Sequence, residues 1–382
     1  MATFNYAFST GIGLQPYLLK NIADVFGREN APQYKVDNIG FLNLLKSQNP
    51  SAIRMNRPSN PAQIQFLQVK YLQRAVRGQT QTSDTCATAN TSPYFEQTVP
   101  LDVYRQYPLY IEDALIQEYT DDAARTQSLG LPPTQVMGEM IEQIKAATSA
   151  LLSDLDVDLL NKVVFGNNAV TGNNASKTIN IDRDITQLSL TDGITELLTD
   201  TQKNIFASGN PQLVGSGLML NYMNQQAAKG LQYNGLLTKL QSNGLDFFYD
   251  QYADSVFGAN QVAVFSPNDV QLVEFDRYTG VFAGQKGISY FGNFVLPLQV
   301  GIAQVMPISF DYQLRYLDCP ETVAGVNDYY GNPISGFRGW QMIISKRCGL
   351  FQPPTNAYKA NDYLVNTNGA LRYTITNTCN GC

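Results

Sequence analysis

Histidine is missing from all 382 residues of the chain. Its absence excludes Ser–His–Asp and Cys–His catalysis, His-ligated zinc and the usual general base that titrates near neutral pH. Carboxylates and lysines remain, so enzyme classes are narrowed and not closed. Charge is scarce as well, at 15% Asp, Glu, Lys and Arg. No stretch approaches ~20 continuous apolar residues, which argues against a membrane-spanning helix. Met1–Thr10 has no basic segment ahead of an apolar run, the pattern of a secretory signal. Synthesis and assembly in a cytosol are therefore expected. The five cysteines, Cys86, Cys319, Cys348, Cys379 and Cys382, are too few and too scattered for a disulfide framework. The last two form C-x-x-C, and with Cys319 and Cys348 they would supply four thiolates for zinc. Only one pair has that spacing, so the cysteines read first as unliganded thiols, with a metal or a late disulfide as alternatives.

What is present is a globular composition. Hydrophobic residues make up 44% of a chain long enough for two or three domains. The remaining surface falls largely to Asn, Gln, Thr, Ser and Tyr, which desolvate more cheaply than charges and suit packing against other subunits. Charge is unevenly distributed. Residues 1–80 hold nine basic side chains (Lys20, Arg28, Lys35, Lys46, Arg54, Arg57, Lys70, Arg74 and Arg77) against Asp24, Glu29 and Asp37. That is a net +6, which leaves −12 for the rest of a chain whose total is −6. A basic arm on an acidic body is expected to lie against something negative. The basic residues are spaced out and not clustered, which favours the acidic body of a neighbouring subunit over a dedicated nucleic-acid patch.

Along the chain, residues 1–62 carry repeated breakers from Gly11 to Pro61 and read as an extended arm, with short helices near Tyr17–Phe26 and Phe41–Lys46. Gln63–Arg77 and Tyr94–Tyr110 read as two strands around a small, polar tip at Gly78–Pro93, a projecting hairpin that needs a partner surface. Ile111–Thr126 looks helical. Thr134–Phe165 has sustained 3/4 spacing through Met137, Ile141, Ile144, Leu151, Leu155 and Leu159, with Thr134 as a cap and Gly166 as a stop. A helix of that length spans roughly 48 Å and must serve as a spine for other layers. Gly166–Asp184 reads as a loop or short hairpin. An α/β stretch follows, with strands at Pro211–Gly215, Phe247–Tyr249 and Val262–Ser266. Its helices are read at Asp192–Ser208, Gly217–Lys229, Tyr233–Gln241 and, after the start signal Ser266-Pro267-Asn268-Asp269, Asn268–Phe275. The last 90 or so residues are β-rich, with strands at Phe294–Leu296, Ile302–Met306, Tyr312–Tyr316, Gly339–Lys346 and Ala370–Thr376.

Each chemical motif has a plainer reading. Asp154, Asp156 and Asp158 begin like a calcium loop, but Leu159 and Phe165 stand where Gly and Glu are required. On a helix Asp154 and Asp158 share a face while Asp156 points elsewhere, so the first two are candidates for a solvated face or for a neighbour's basic residues. Glu112-Asp113 and Asp121-Asp122 are sequence neighbours that do not converge on one substrate, although a glycosidase-type pair remains formally open. The turn at Gly215-Ser216-Gly217 lacks the Lys of a phosphate-binding loop and the third Gly of a dinucleotide fingerprint. No catalytic, cofactor or metal residue is expected.

The order of parts resembles the HK97-type major capsid proteins of tailed bacteriophages, and looks like those from phages of Bacteroidetes-type hosts. The resemblance implies an α+β, HK97-like fold. Its parts would be an N-terminal arm (1–62), an E-loop hairpin (63–110), a P-domain with the spine helix (111–183), an α/β A-domain (184–345) and a C-terminal β return to the P-domain (346–382). It implies self-assembly into hexamers and pentamers of an icosahedral head made in the host cytoplasm. Partners would be portal, scaffold and head-decoration proteins, with double-stranded DNA held by non-specific contact and no membrane. The inter-subunit contact candidates are Lys20, Arg28, Arg54, Arg57, Arg74, Arg77, Asp154 and Asp158. Some members of that family crosslink through an E-loop lysine and a P-domain asparagine. This chain has no Lys between Lys70 and Lys145, so non-covalent locking is expected. The alternatives are an encapsulin-type shell protein on the same fold and a His-free carboxylate glycoside hydrolase.

Overall fold

In the computed structural model of the chain, the residues described are 38–48, 53–56, 66–72, 94–112, 135–166, 177–180, 197, 201, 211–221, 246–278, 284–286, 289–300, 304–318, 338–353 and 369–376. They form α1 (Gly40–Ser47), β1 (Ile53–Asn56), β2 (Phe66–Leu72), β3 (Tyr94–Pro100), β4 (Val103–Glu112) and α2 (Gln135–Lys162). There follow β5 (Lys177–Asn180), β6 (Gln212–Gly215), β7 (Asp246–Tyr249), α3 (Ala253–Phe257), β8 (Gln261–Phe265) and β9 (Gln271–Phe275). The last elements are β10 (Gly284–Lys286), β11 (Ser289–Val300), β12 (Gln304–Asp318), β13 (Arg338–Phe351) and β14 (Ala370–Thr376). The chain is an α+β protein. It divides into two compact units, one drawn from residues 104–155 and 275–347, the other from 37–103, 156–274 and 348–382.

The first unit is built on a sheet in the order β10-β11-β12-β13-β4. β11 and β12 form a long antiparallel hairpin from Ser289↔Arg315 to Val300↔Gln304, and β12 pairs with β13 from Asp311↔Ser345 to Asp318↔Arg338. Period-2 alternation sends Tyr290, Phe294, Phe310, Tyr312, Leu314, Met342 and Ile344 into the core. Phe294 and Phe310 stack at 5.7 Å. Gly292 lies opposite Tyr312 because a Cβ there would come within 2.5 Å of the phenol oxygen.

The second unit holds two sheets. One is mixed, in the order β5-β14-β8-β6-β7, with β6–β7 and β14–β5 parallel and β6–β8 and β14–β8 antiparallel. Its inner strands are covered on both sides: β6 is buried at every position, and β8 at all but its first. Leu213, Val262, Val264, Leu371, Tyr373 and Ile375 form its core with Ile179, Leu197 and Met219. Tyr373 is fully buried, and its hydroxyl accepts a hydrogen bond from Thr201 at 3.2 Å. The other sheet is antiparallel, β1-β2-β3, running from Phe66↔Pro100 to Leu72↔Tyr94 and from Ile53↔Tyr71 to Asn56↔Gln68.

The 28-residue α2 matches the expected spine to within three residues at either end. Its buried positions, Ile144, Ala147, Thr148, Leu151, Leu152, Leu155, Leu159 and Leu160, repeat at the 3/4 spacing read from the sequence. Other expectations need correction. The helix expected at Asn268–Phe275 is the strand β9. Asn268 sits in the left-handed region at φ 64°, which turns the chain, and Gln271, Val273 and Phe275 then alternate inward as strand residues do. The strand expected over Tyr94–Tyr110 is broken at Leu101–Asp102 into β3 and β4, and β4 takes in Ile111 and Glu112 from the start of the expected helix. Gly166–Asp184 holds β5, which pairs with β14 in parallel. Residues 53–56, read as arm, add a strand to the hairpin. The short helix α3 was not anticipated. The polar hairpin tip, the helices expected at Tyr17–Phe26 and Tyr233–Gln241, and Cys86, Cys319, Cys379 and Cys382 lie outside the described residues.

Candidate assembly surfaces and a buried carboxylate pair

Register decides what the β2–β3 ribbon shows to solvent. Leu67, Val69 and Val99 are buried on one face. On the other face, the cross-strand pairs among the described side chains are Phe66 with Pro100, Gln68 with Thr98, and Lys70 with Glu96. Lys70 and Glu96 close as an ion pair at 2.5 Å. Phe66 is 55% exposed, an unusual position for a phenylalanine in a folded domain. Among the described residues the ribbon therefore presents one apolar rung, one uncharged polar rung and one neutralised charge pair. Such a face loses little when water is removed from it.

In the other unit, Tyr104 and Tyr107 are also exposed. The Arg347 guanidinium stacks over the Tyr104 ring at 4.9 Å, and the Tyr104 hydroxyl donates to Gln106 at 2.9 Å. Nearby, Asp311 is buried and accepts the backbone N–H groups of Arg277 at 2.8 Å and Tyr278 at 3.1 Å. Burial pushes its carboxyl above the ordinary value against those two hydrogen bonds, with Asp276 adding to the rise and Lys346 opposing it. Lys346 donates to Ser309 at 3.0 Å, and the Ser309 hydroxyl donates to Asp276 at 2.8 Å.

A second carboxylate cluster joins α1 to the mixed-sheet unit. Asp250 follows β7, and Asp156 lies on α2; both are fully buried. The Phe41 N–H donates to Asp250 at 2.9 Å and the Leu42 N–H to Asp156 at 2.7 Å. Ile39 stands at the N-cap of α1 and offers no side-chain acceptor, so these two carboxylates take the place of a local cap. Neither is open to solvent, so the pair binds backbone and does not act on a substrate.

The candidates read from the sequence fall into three groups. Lys20, Arg28, Arg57, Arg74 and Arg77 lie outside the described residues. Arg54 is on β1, in register with Lys70. Asp154 is exposed and Asp158 half-buried on α2, while Asp156 between them is wholly buried, so the three do not converge. Two other basic residues of the first 80 are neutralised within the chain: Lys70 by Glu96, and Lys46 by an ion pair to Glu274. Sequence reading passed over Asp156 and Asp250. The signal that marks Asp156 is its phase: it lies one residue after Leu155 and three before Leu159, on the apolar stripe of a helix. Among the described residues no helix is long and apolar enough to cross a membrane.

No family model matches the sequence, and no curated protein does. The solved structures similar to this chain include phage capsids and a virus-like particle. The capsid asymmetric unit of cyanophage A-1(L) matches at 12% identity and a TM-score of 0.39, covering 91% of this chain and 94% of that one. The capsid of Myoviridae phage XM1 matches at 13% identity and a TM-score of 0.38, covering 88% and 92%. A virus-like particle from Pyrococcus furiosus matches at 10% identity and a TM-score of 0.34, covering 94% and 98%.

Proposed function

We propose that this chain is the major capsid protein of a tailed bacteriophage. It is a structural subunit that assembles into the hexamers and pentamers of an icosahedral head around double-stranded DNA. What carries the proposal is the outward face of the β2–β3 ribbon. A phenylalanine 55% exposed beside a proline, flanked by uncharged and mutually neutralised side chains, suits a surface that a second copy covers. The order of elements supports it: a β-ribbon, a 28-residue helix, a mixed α/β sheet and long return strands. In this reading 1–62 is the arm, 63–110 the E-loop, 111–183 the P-domain, 184–345 the A-domain and 346–382 the return to the P-domain. Portal, scaffold and decoration proteins would be the partners, and the DNA is held as contents by non-specific contact.

The test is electron microscopy of the purified full-length chain, with its nucleic-acid content. Closed shells or capsomer rings are the expected result, and particles from infected cells should contain DNA. A monodisperse monomer at high protein concentration would overturn the assembly reading. Shells that carry a protein cargo and no DNA would replace the phage reading with a nanocompartment.

A further inference from the structure

We propose that the segment Asn38–Gln48 is fastened to its unit by a proton shared between Asp156 and Asp250, so that rising pH releases it and falling pH locks it down. The segment has two ends, and they are tied differently. At its C-terminal end the ties are amides and an ion pair. Gln48 donates to Gln212 at 2.5 Å and accepts from the Asn268 N–H at 2.6 Å, while Lys46 pairs with Glu274. At its N-terminal end the ties converge on the two carboxylates. Asp250 accepts the N–H groups of Phe41 and Tyr252, at 2.9 and 2.8 Å, and Asp156 accepts that of Leu42. The Gln251 N–H donates to the Asn38 carbonyl at 3.0 Å, the Phe41 ring lies 5.2 Å from that of Phe265, and a Cβ on Gly40 would come within 2.5 Å of the Tyr249 carbonyl oxygen.

One oxygen is left over. Oδ2 of Asp156 is buried and no donor reaches it. As the oxygen of a carboxylate it would be an orphan next to a second negative charge, in a site buried from bulk solvent. As a hydroxyl it donates to Asp250, and both difficulties vanish. Electrostatics agrees with this assignment. Burial pushes the Asp156 carboxyl well above the usual carboxylate range, the Asp250 charge and the hydrogen bond to Asp250 push it further, and the Leu42 N–H pulls it back. Because the folded-state value is raised above the unfolded one, the stabilisation is complete below about pH 4 and is lost as pH climbs through the folded-state value.

The other charged groups on the packed elements do not supply the compensation. Lys46 on α1 is taken by Glu274 and Lys162 on α2 by Asp102. Asp154 on α2, Asp246 on β7 and Asp254 on α3 are exposed; Asp158, Tyr249 and Tyr252 are half-buried; β6 and β8 carry no ionisable side chain. Asp250 is the charged side chain that acts on Asp156.

Amide exchange on the full-length protein, with protection corrected for the intrinsic pH dependence, tests this between pH 5 and 9. Protection of the Phe41–Leu45 amides should fall with rising pH, by about tenfold per unit while Asp156 keeps its proton in the closed state, and level off once it ionises there, as expected for one linked proton. Protection of β8 should stay level. In Asp156→Asn, the amide still offers an oxygen to Leu42 and a donor to Asp250, so protection should be flat with pH. Asp250→Asn removes the neighbouring charge but leaves Asp156 buried, so its protection should level off at lower pH than in wild type, a second readout if the first variant does not fold. A flat wild-type profile would overturn the proposal, as would an Asp156→Asn variant that keeps the wild-type slope or an Asp250→Asn profile identical to wild type. Loss of protection at pH 5 on adding a chelator would also overturn it, since a cation and not a proton would then be the tie.

Discussion

Asp311 puts a price on burying a carboxylate beside its own hydrogen bonds. The two N–H groups it accepts, from Arg277 and Tyr278, favour the charged form, yet burial outweighs them and the carboxyl is raised. Replacing it by Ala leaves both N–H groups without their acceptor, and we expect destabilisation of about 2–4 kcal/mol. Asp311→Asn keeps one oxygen and should lose less than half of that. The sign of the pH effect follows from the raised value: Asp311 contributes most at low pH, and its contribution diminishes as pH rises through the folded-state value. Urea unfolding of wild type and both variants at pH 5 and pH 8 checks this. The gap between wild type and Asp311→Asn should be larger at pH 5, and a gap that widens at pH 8 would contradict the assignment. None of this was legible in the sequence. Spacing told which of Asp154, Asp156 and Asp158 share a helix face, but not which face would be covered, so exposed Asp154 and half-buried Asp158 were singled out and the buried residue passed over.

Elements were legible where one periodicity ran long enough to outvote local signals. α2 is the clear case, because eight buried positions between Ile144 and Leu160 repeat the apolar pattern of the sequence. β9 is the opposite case. Ser-Pro-Asn-Asp has the residues of a helix start, and five residues are too few for a period of two to be told from one turn of helix. Tertiary pairing decided the matter, and Asn268 took the left-handed conformation that Asn tolerates better than most residues. The spine makes its own prediction. Leu159 is fully buried, so Leu159→Ala should cost about 2–5 kcal/mol. Asp154, one turn away and exposed, should change stability by no more than about 0.5 kcal/mol when replaced by Ala. Chemical denaturation of the two variants side by side separates a helix that is a packed spine from one that merely crosses the surface.

At the scale of the molecule, the succession of hairpin, spine, α/β stretch and β-rich C-terminal part was read from texture, and the α+β class came from the family resemblance. Two things were not read: the interleaving of separate chain stretches in each unit, and the recruitment of residues 53–56 into the ribbon, both of which depend on pairings outside the local pattern. The ribbon is where the molecular prediction lies. An isopeptide lock between subunits through this loop would need a lysine amine, and residues 71–144 contain no lysine. Lys70, the nearest, is held by Glu96. Cohesion must then come from buried surface, and among the described residues Phe66 is the largest apolar side chain that the ribbon exposes. Assembled particles should therefore dissolve in hot SDS to a single band at the monomer mass, with no ladder. Phe66→Glu should leave monomer stability within about 0.5 kcal/mol, because the side chain packs against little of its own chain. The same change should abolish or strongly reduce assembly, because a charge would have to be desolvated at every copy of the contact. Sedimentation of variant and wild type at equal concentration reads out assembly, and urea unfolding reads out stability. Normal assembly by the variant would remove the ribbon from the list of contacts, and a covalent ladder would show that the subunits are tied elsewhere.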